Sequence, residues 1–260
     1  MQPQLTDLIR IARQAGEIQR AGFGQTHQVG HKGPVDLVTE IDHRCEAHIL
    51  NAIQSQFPGH HIVAEESGQI NGGSPHTWYV DPLDGTVNYA HSVPLFSVSI
   101  AYAEGGQTQL GVVYDPMRDE CFSAQRGQGA WLNDQPIRVS SAGQLIDALL
   151  VTGFPYELNQ RQLNLKLFAD FSLQCQGVRR LGSAALDLCY VAAGRLDGYW
   201  ELSLQAWDVA AGALIVQEAG GVLTTPDGQA DFFRPPFALL TANPQLHPLM
   251  LKVLRQHMPA

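Results

Sequence analysis

The stretch Trp78-Tyr79-Val80-Asp81-Pro82-Leu83-Asp84-Gly85-Thr86 runs from an apolar strand straight into a turn. Pro82 bends the chain, and Asp84 follows Asp81 by three positions. Proline has no N–H, which suits an irregular turn whose backbone groups serve a ligand. Two carboxylates held this close repel each other, and a divalent cation between them removes the repulsion. Gly85 and Thr86 then present N–H groups where a helix would begin, a favourable place for phosphate oxygens. The competing reading is a surface turn, because Asp-Pro and Asp-Gly are common turn dipeptides.

Upstream of this stretch, Leu5, Leu8, Ile9, Ala12, Ala15 and Ile18 recur with helical period over residues 4–22, ending at Gly22 and Gly24. A second helix is predicted after Thr39 as N-cap, with a stripe of Ile41, Cys45, Ile49 and Ile53 that stops before Pro58-Gly59. HIVAEE (61–66) and TWYVD (77–81) read as strands joined by the loop SGQINGGSP. Glu65 and Glu66 close the first strand, where they can approach the edge reached by Asp81.

Downstream, LFSVSIAYA, TQLGVVYD, ECFSAQ and AWLN are separated by turn residues between 95 and 139, as in an antiparallel meander. Beyond Ser141 strands and helices alternate: strand ALLVTGF, helices near 159–171 and 183–193, strand DGYWEL, a helix over 208–219, strand FALLTAN and a terminal helix. Asp208 in WDVAAG is predicted as the N-cap of the helix that ends at Gly220-Gly221, and Ala210, Ala211 and Gly212 are small enough for a ligand or backbone to approach. Two packed halves are expected, 1–142 and 143–260, forming one unit.

Bulk properties remove several function classes. The chain of 260 residues has a formal net charge of −9, with 45% hydrophobic and 16% charged residues, an ordinary composition for a soluble enzyme. No basic face is evident, so a nucleic-acid partner is not expected, although bound metal ions let an acidic protein hold an anion. Cys45, Cys121, Cys175 and Cys189 show no CxxC spacing, which argues against zinc or a disulfide framework. The polar opening residues and the absence of a long apolar run predict a cytoplasmic protein without signal peptide or membrane span. The ten histidines lack HExxH spacing. GxxxxGK[ST] and GxSxG are absent, and Leu83 stands where a haloacid-dehalogenase-type Asp-x-Asp needs its second acid.

The combination of DPLDGTVNYAH (81–91) and WDVAAGALIVQEAGG (207–221) with KGPVDLVTEID (32–42), AEES (64–67) and GSAALDLCYVAAGRLDGYWE (182–201) resembles the inositol monophosphatase family over nearly the full length. The resemblance implies an α+β fold, a layered αβαβα sandwich shared with fructose-1,6-bisphosphatase, and commonly a homodimer. It implies two or three Mg²⁺ ions: Glu65, Asp81 and the Leu83 carbonyl on one, Asp81, Asp84 and Asp208 on another, and a weaker third near Glu65. Thr86 and Asp42 would orient the attacking water, with Lys32 on the segment beside the site. Gly85 and Thr86 would hold the phosphate, while Asp84, Ser183, Ala184, Glu201 and Asp208 would bound the substrate.

Oxygen-only ligation favours Mg²⁺, and a metal-activated water can attack the ester without a phosphoenzyme. The expected activity is lithium-sensitive hydrolysis of myo-inositol monophosphate to inositol and phosphate. Fructose-1,6-bisphosphatase, 3′(2′),5′-bisphosphate nucleotidase and histidinol-phosphatase activities are the alternatives on this fold. A regulatory partner-binding role with incidental phosphatase activity is the alternative outside it.

Overall fold

A computed structural model describes residues 2–27, 29–31, 37–155 and 157–257. The first part contains helix α1 (Leu5–Gly22), strands β1 (Val29–His31) and β2 (Leu37–Thr39), and helix α2 (Glu40–Gln56). Strands β3 (His61–Ala64), β4 (Gly68–Ile70) and β5 (His76–Asp84) lead into the short helix α3 (Thr86–Ala90). Strands β6 (Ser97–Glu104), β7 (Gln107–Asp115), β8 (Glu120–Gln125), β9 (Ala130–Leu132) and β10 (Gln135–Ile137) complete this region. Then come β11 (Leu149–Thr152), α4 (Leu158–Ser172), β12 (Gly177–Arg179), α5 (Ala184–Ala192) and β13 (Gly198–Glu201). The chain closes with α6 (Ala206–Glu218), β14 (Val222–Thr224), β15 (Leu239–Ala242) and α7 (His247–Arg255).

Strand alternation divides the side chains among three cores. An eight-stranded sheet in the order β10-β9-β8-β7-β6-β5-β3-β4 turns Val80, Val98, Ile100 and Val112 toward Leu8, Ile11, Ile41 and Ile49 of α1 and α2. Its opposite face, with Ala101, Val113 and Phe122, packs on Leu188, Val191, Val209 and Leu214 of α5 and α6. A five-stranded sheet, β12-β11-β13-β15-β14, covers the far side of α5 and α6 with Val151, Tyr199 and Leu239. Its outer face sets Leu150, Trp200 and Leu240 against Leu167 and Phe171 of α4 and Met250 and Leu254 of α7. The result is five layers, helix–sheet–helix–sheet–helix, as the resemblance implied.

The predicted helices and principal strands are present. Six short strands, β1, β2, β4, β10, β12 and β14, were not anticipated; each spans three residues, too few to show a period. β4 lies in the segment read as a plain loop and pairs antiparallel with β3. Glu65 and Glu66 fall in the turn after β3, which ends at Ala64. Helix α6 begins at Ala206 with Gln205 as N-cap, two residues before the predicted start, and Asp208 occupies N3 of a capping box. Lys32 lies outside the described residues. All four cysteines are buried free thiols, and no described helix is long and apolar enough to cross a membrane.

Helix α6 approaches the first sheet closely enough to require glycine. A Cβ at Gly111 of β7 would stand 2.9 Å from the Ala211 carbonyl oxygen, and Ala211 is on the helix that carries Asp208. Gly111→Ala should therefore push α6 off the sheet and lower stability in urea unfolding by about 1–3 kcal/mol, the usual cost of overpacking. A variant within about 0.5 kcal/mol of the wild type would show that the helix can shift freely.

Candidate active site

The acidic turn is positioned by a break in the β5–β6 ladder. Asp81 pairs with Ser99 and Asp84 with Ser97, with a register shift between them. Three steps along β5 therefore match two along β6, which is a bulge. In a regular strand, side chains three apart face opposite sides of the sheet. The bulge returns Asp84 to the face of Asp81, the face shared by Ser97 and Ser99. That face looks toward α5 and α6: Ser99 Oγ donates to the Trp207 carbonyl at 3.2 Å, and Ser97 Oγ lies 3.5 Å from Ser183 Oγ. Buried Gln19 of α1 braces the break, its amide donating to the Pro82 carbonyl at 2.7 Å and the Ser97 carbonyl at 3.2 Å.

Neighbouring elements deliver the other acids. Parallel pairing sets Ala64 beside Val80, and the Glu65 amide continues the ladder to the Val80 carbonyl at 3.1 Å. Glu65 is thus the next step beside Asp81. The turn that holds it is tied down by Glu46 of α2, whose carboxylate accepts from the Glu66 amide at 2.8 Å and from Ser67 Oγ at 2.5 Å. Asp208 arrives on the first turn of α6, one oxygen accepting from the Gln205 amide at 2.7 Å.

Thr86 Oγ1 lies 2.9 Å from Asp42 Oδ1 and 3.0 Å from the Leu83 carbonyl, both acceptors for its hydroxyl. The other oxygen of fully buried Asp42 accepts from the Thr39 amide and hydroxyl at 2.8 and 2.6 Å. Gly85, the N-cap of α3, has φ 102°, and a Cβ there would meet the Leu95 carbonyl at 3.0 Å, so glycine is required.

These residues share one cleft of about 550 Å³, whose lining includes Glu65, Asp81, Leu83, Asp84, Gly85, Thr86, Ser183, Ala184, Glu201 and Asp208. Asp42 stands behind Thr86. Asp84 accepts from Ser183 Oγ at 2.6 Å, from the Ala185 amide at 2.7 Å and from the Ala184 amide at 3.3 Å. Ser183 and Ala184, predicted to face the substrate, thus also hold Asp84. Glu201 accepts from Tyr199 Oη at 2.5 Å and lies over Gly153, where any Cβ would collide with its carboxylate.

Burial dominates the electrostatics. Desolvation raises Asp81 well above the usual carboxylate range, and the charges of Glu65, Asp84 and Asp208 raise it further. Asp208 is raised in the same way by burial, then by Asp84 and Glu65. Asp84 is raised by burial against the pull of its three donors and of Arg180. Asp42 is raised by burial despite its bonds to Thr39 and Thr86. Among the described residues, no group of three such acids is arranged to hold a metal ion; the carboxylates of Asp81, Asp84 and Asp208 accept instead from the amides of Leu83, Ala185 and Gln205.

Residues outside the predicted set also shape the cleft. Glu46 and Gln19 brace it from behind, while Arg180, Asp187, Phe154 and Glu157 line it. Glu46 and Asp187 carried one readable signal, an acid within a helical apolar pattern, and Arg180 carried none.

A family model described as the inositol monophosphatase family matches residues 1–259. A Pseudomonas aeruginosa protein named Nus factor SuhB is 42% identical, covering 100% of this chain and 98% of that one. Among solved structures, the extragenic suppressor protein SuhB of Bartonella henselae superposes with TM-score 0.93 at 40% identity, covering 97% of this chain and 98% of that one. An inositol monophosphatase from Anabaena gives TM-score 0.87 at 40% identity, covering 98% and 96%. A match running nearly end to end, on a shared five-layer fold, establishes that the chain belongs to the inositol monophosphatase family.

Proposed function

We propose that the chain hydrolyses myo-inositol monophosphate to inositol and phosphate in a Mg²⁺-dependent reaction, its two halves acting as one catalytic unit. The observation that carries this reading is the gathering of Glu65, Asp81, Asp84 and Asp208 from three separate chain segments into one cleft, where the charges of Glu65 and Asp84 add to burial in raising Asp81 and Asp208. Buried like charges are stable together when a cation joins them. The donors are all oxygen, which fits magnesium and not zinc. Glu65, Asp81, the Leu83 carbonyl, Asp84 and Asp208 would hold two or three such ions. Asp84 has three of its roughly four acceptor positions taken, so one remains. The chemistry these ions supply is neutralisation of the phosphoryl oxygens and acidification of a water.

The chain's own groups account for orientation. When the Thr86 hydroxyl donates to Asp42, its lone pairs are left to accept from a water, and the two Thr39 bonds keep Asp42 from turning away. Gly85 and Thr86 bound the phosphate, and Glu201 faces the alcohol. Relatives named Nus factor favour a second reading, in which a surface of this chain serves a macromolecular partner. The two readings separate in an Asp84→Asn chain, where partner binding that persists without phosphate release supports the second.

Two substitutions test the first reading. Asp81→Asn should remove Mg²⁺-dependent phosphate release while circular dichroism and thermal unfolding show an intact fold; near-wild-type turnover contradicts the central role of Asp81. Burial brings Glu201 up to about 7, so its full acceptor charge is present above neutral pH and lost below it. Glu201→Gln should raise KM for inositol 1-phosphate about tenfold, and should flatten the fall in wild-type KM between about pH 6 and 8. An unchanged KM profile detaches Glu201 from the alcohol.

A further inference from the structure

One acid in the cleft is left over. Asp187 lies on α5, just after the Ala184 and Ala185 amides that serve Asp84. It is 1% exposed, and its Oδ1 is buried without a hydrogen-bond partner among the described residues. Buried carboxyl oxygens are nearly always paired, so an unpaired one that lines a cleft marks a place for a ligand donor. The rest of α5 is apolar and packed against the two sheets, so Asp187 is the charged group that this helix brings to the cleft. Burial raises its carboxyl well above the usual carboxylate range, and the charges of Glu201 and Asp84 raise it further against the pull of Arg180; all three line the same cleft.

We propose that Asp187 is a specificity-determining residue: with Glu201 it accepts hydroxyl hydrogen bonds from the polyol part of the substrate and disfavours a leaving group that carries a second phosphate. This rests on the phosphatase reading above and names the selectivity of the same site. Polyol hydroxyls are donors and match the Asp187 oxygen that lacks one and the acceptor capacity that Glu201 keeps beyond its bond from Tyr199. A second phosphate has almost no proton to give near neutral pH, and it would meet the acceptors of Asp84, Asp187 and Glu201, with Arg180 the single basic side chain among the described lining residues. Sites built to receive a hydroxyl reject analogues without one, because the buried acceptors are then left unpaired.

The test compares kcat/KM for inositol 1-phosphate, fructose 1,6-bisphosphate and p-nitrophenyl phosphate in the full chain with Mg²⁺. Asp187→Leu, which removes both acceptors, should lower the ratio of inositol 1-phosphate to p-nitrophenyl phosphate about tenfold. Asp187→Asn, isosteric but with an NH2 donor in place of one oxygen, should raise the ratio of fructose 1,6-bisphosphate to inositol 1-phosphate by about threefold or more, because the amide offers a second phosphate the donor that a carboxyl acceptor lacks. If Asp187→Leu does not fold, the isosteric variant decides. Ratios within about twofold of an active wild type overturn this inference and leave the phosphatase reading standing. A wild type that releases phosphate from none of the three overturns both.

Discussion

Like-charge repulsion among buried carboxyl groups is the constraint to which the rest of the structure answers. Two such charges about 4 Å apart repel by about 4 kcal/mol at an effective dielectric near 20, and a whole domain is stable by only about 5–15 kcal/mol. Gathering Glu65, Asp81, Asp84 and Asp208 into one cleft is therefore tolerable in two ways. The acids take up protons, as their raised pKa values indicate, or cations sit among them.

Much of the scaffold serves to hold these groups against that repulsion. The bulge in β5 turns Asp81 and Asp84 to one face, Gln19 fixes the bulge from the opposite layer, and the α5 N-terminus holds Asp84 through two amides and Ser183. Positive partial charge at the start of a helix favours an acid there. Asp208 gains from the same effect on α6, where it completes a capping box. Gly111 lets α6 lie against the sheet, which brings this last acid to the others. Packing and electrostatics are thus linked through a handful of backbone positions.

The acidic turn was legible in the sequence because each of its parts is a local signal: an apolar strand, proline, two spaced acids and a glycine. The bulge was not, since it is a property of two strands together and Ser97 and Ser99 give no local hint of it. The start of α6 was misplaced by two residues because Gln205 is a weaker N-cap signal than Asp208, and the role of Asp208 at N3 emerges only from the hydrogen bond it accepts. Glu46 and Gln19 sit among helical apolar residues and act across layers, so nothing nearby in the sequence announced what they brace. Arg180 lies beyond the short strand β12, where neither helical nor strand periodicity exists to read.

The central claim is that the cleft acids are a cation site. Anomalous scattering from crystals grown with Mn²⁺ as a stand-in for Mg²⁺ tests it most directly. The account predicts peaks bounded by the carboxylates of Glu65, Asp81, Asp84 and Asp208, with Asp81 touching more than one. Peaks confined to other surfaces, with these four acids keeping their present hydrogen bonds and nothing between them, would contradict it.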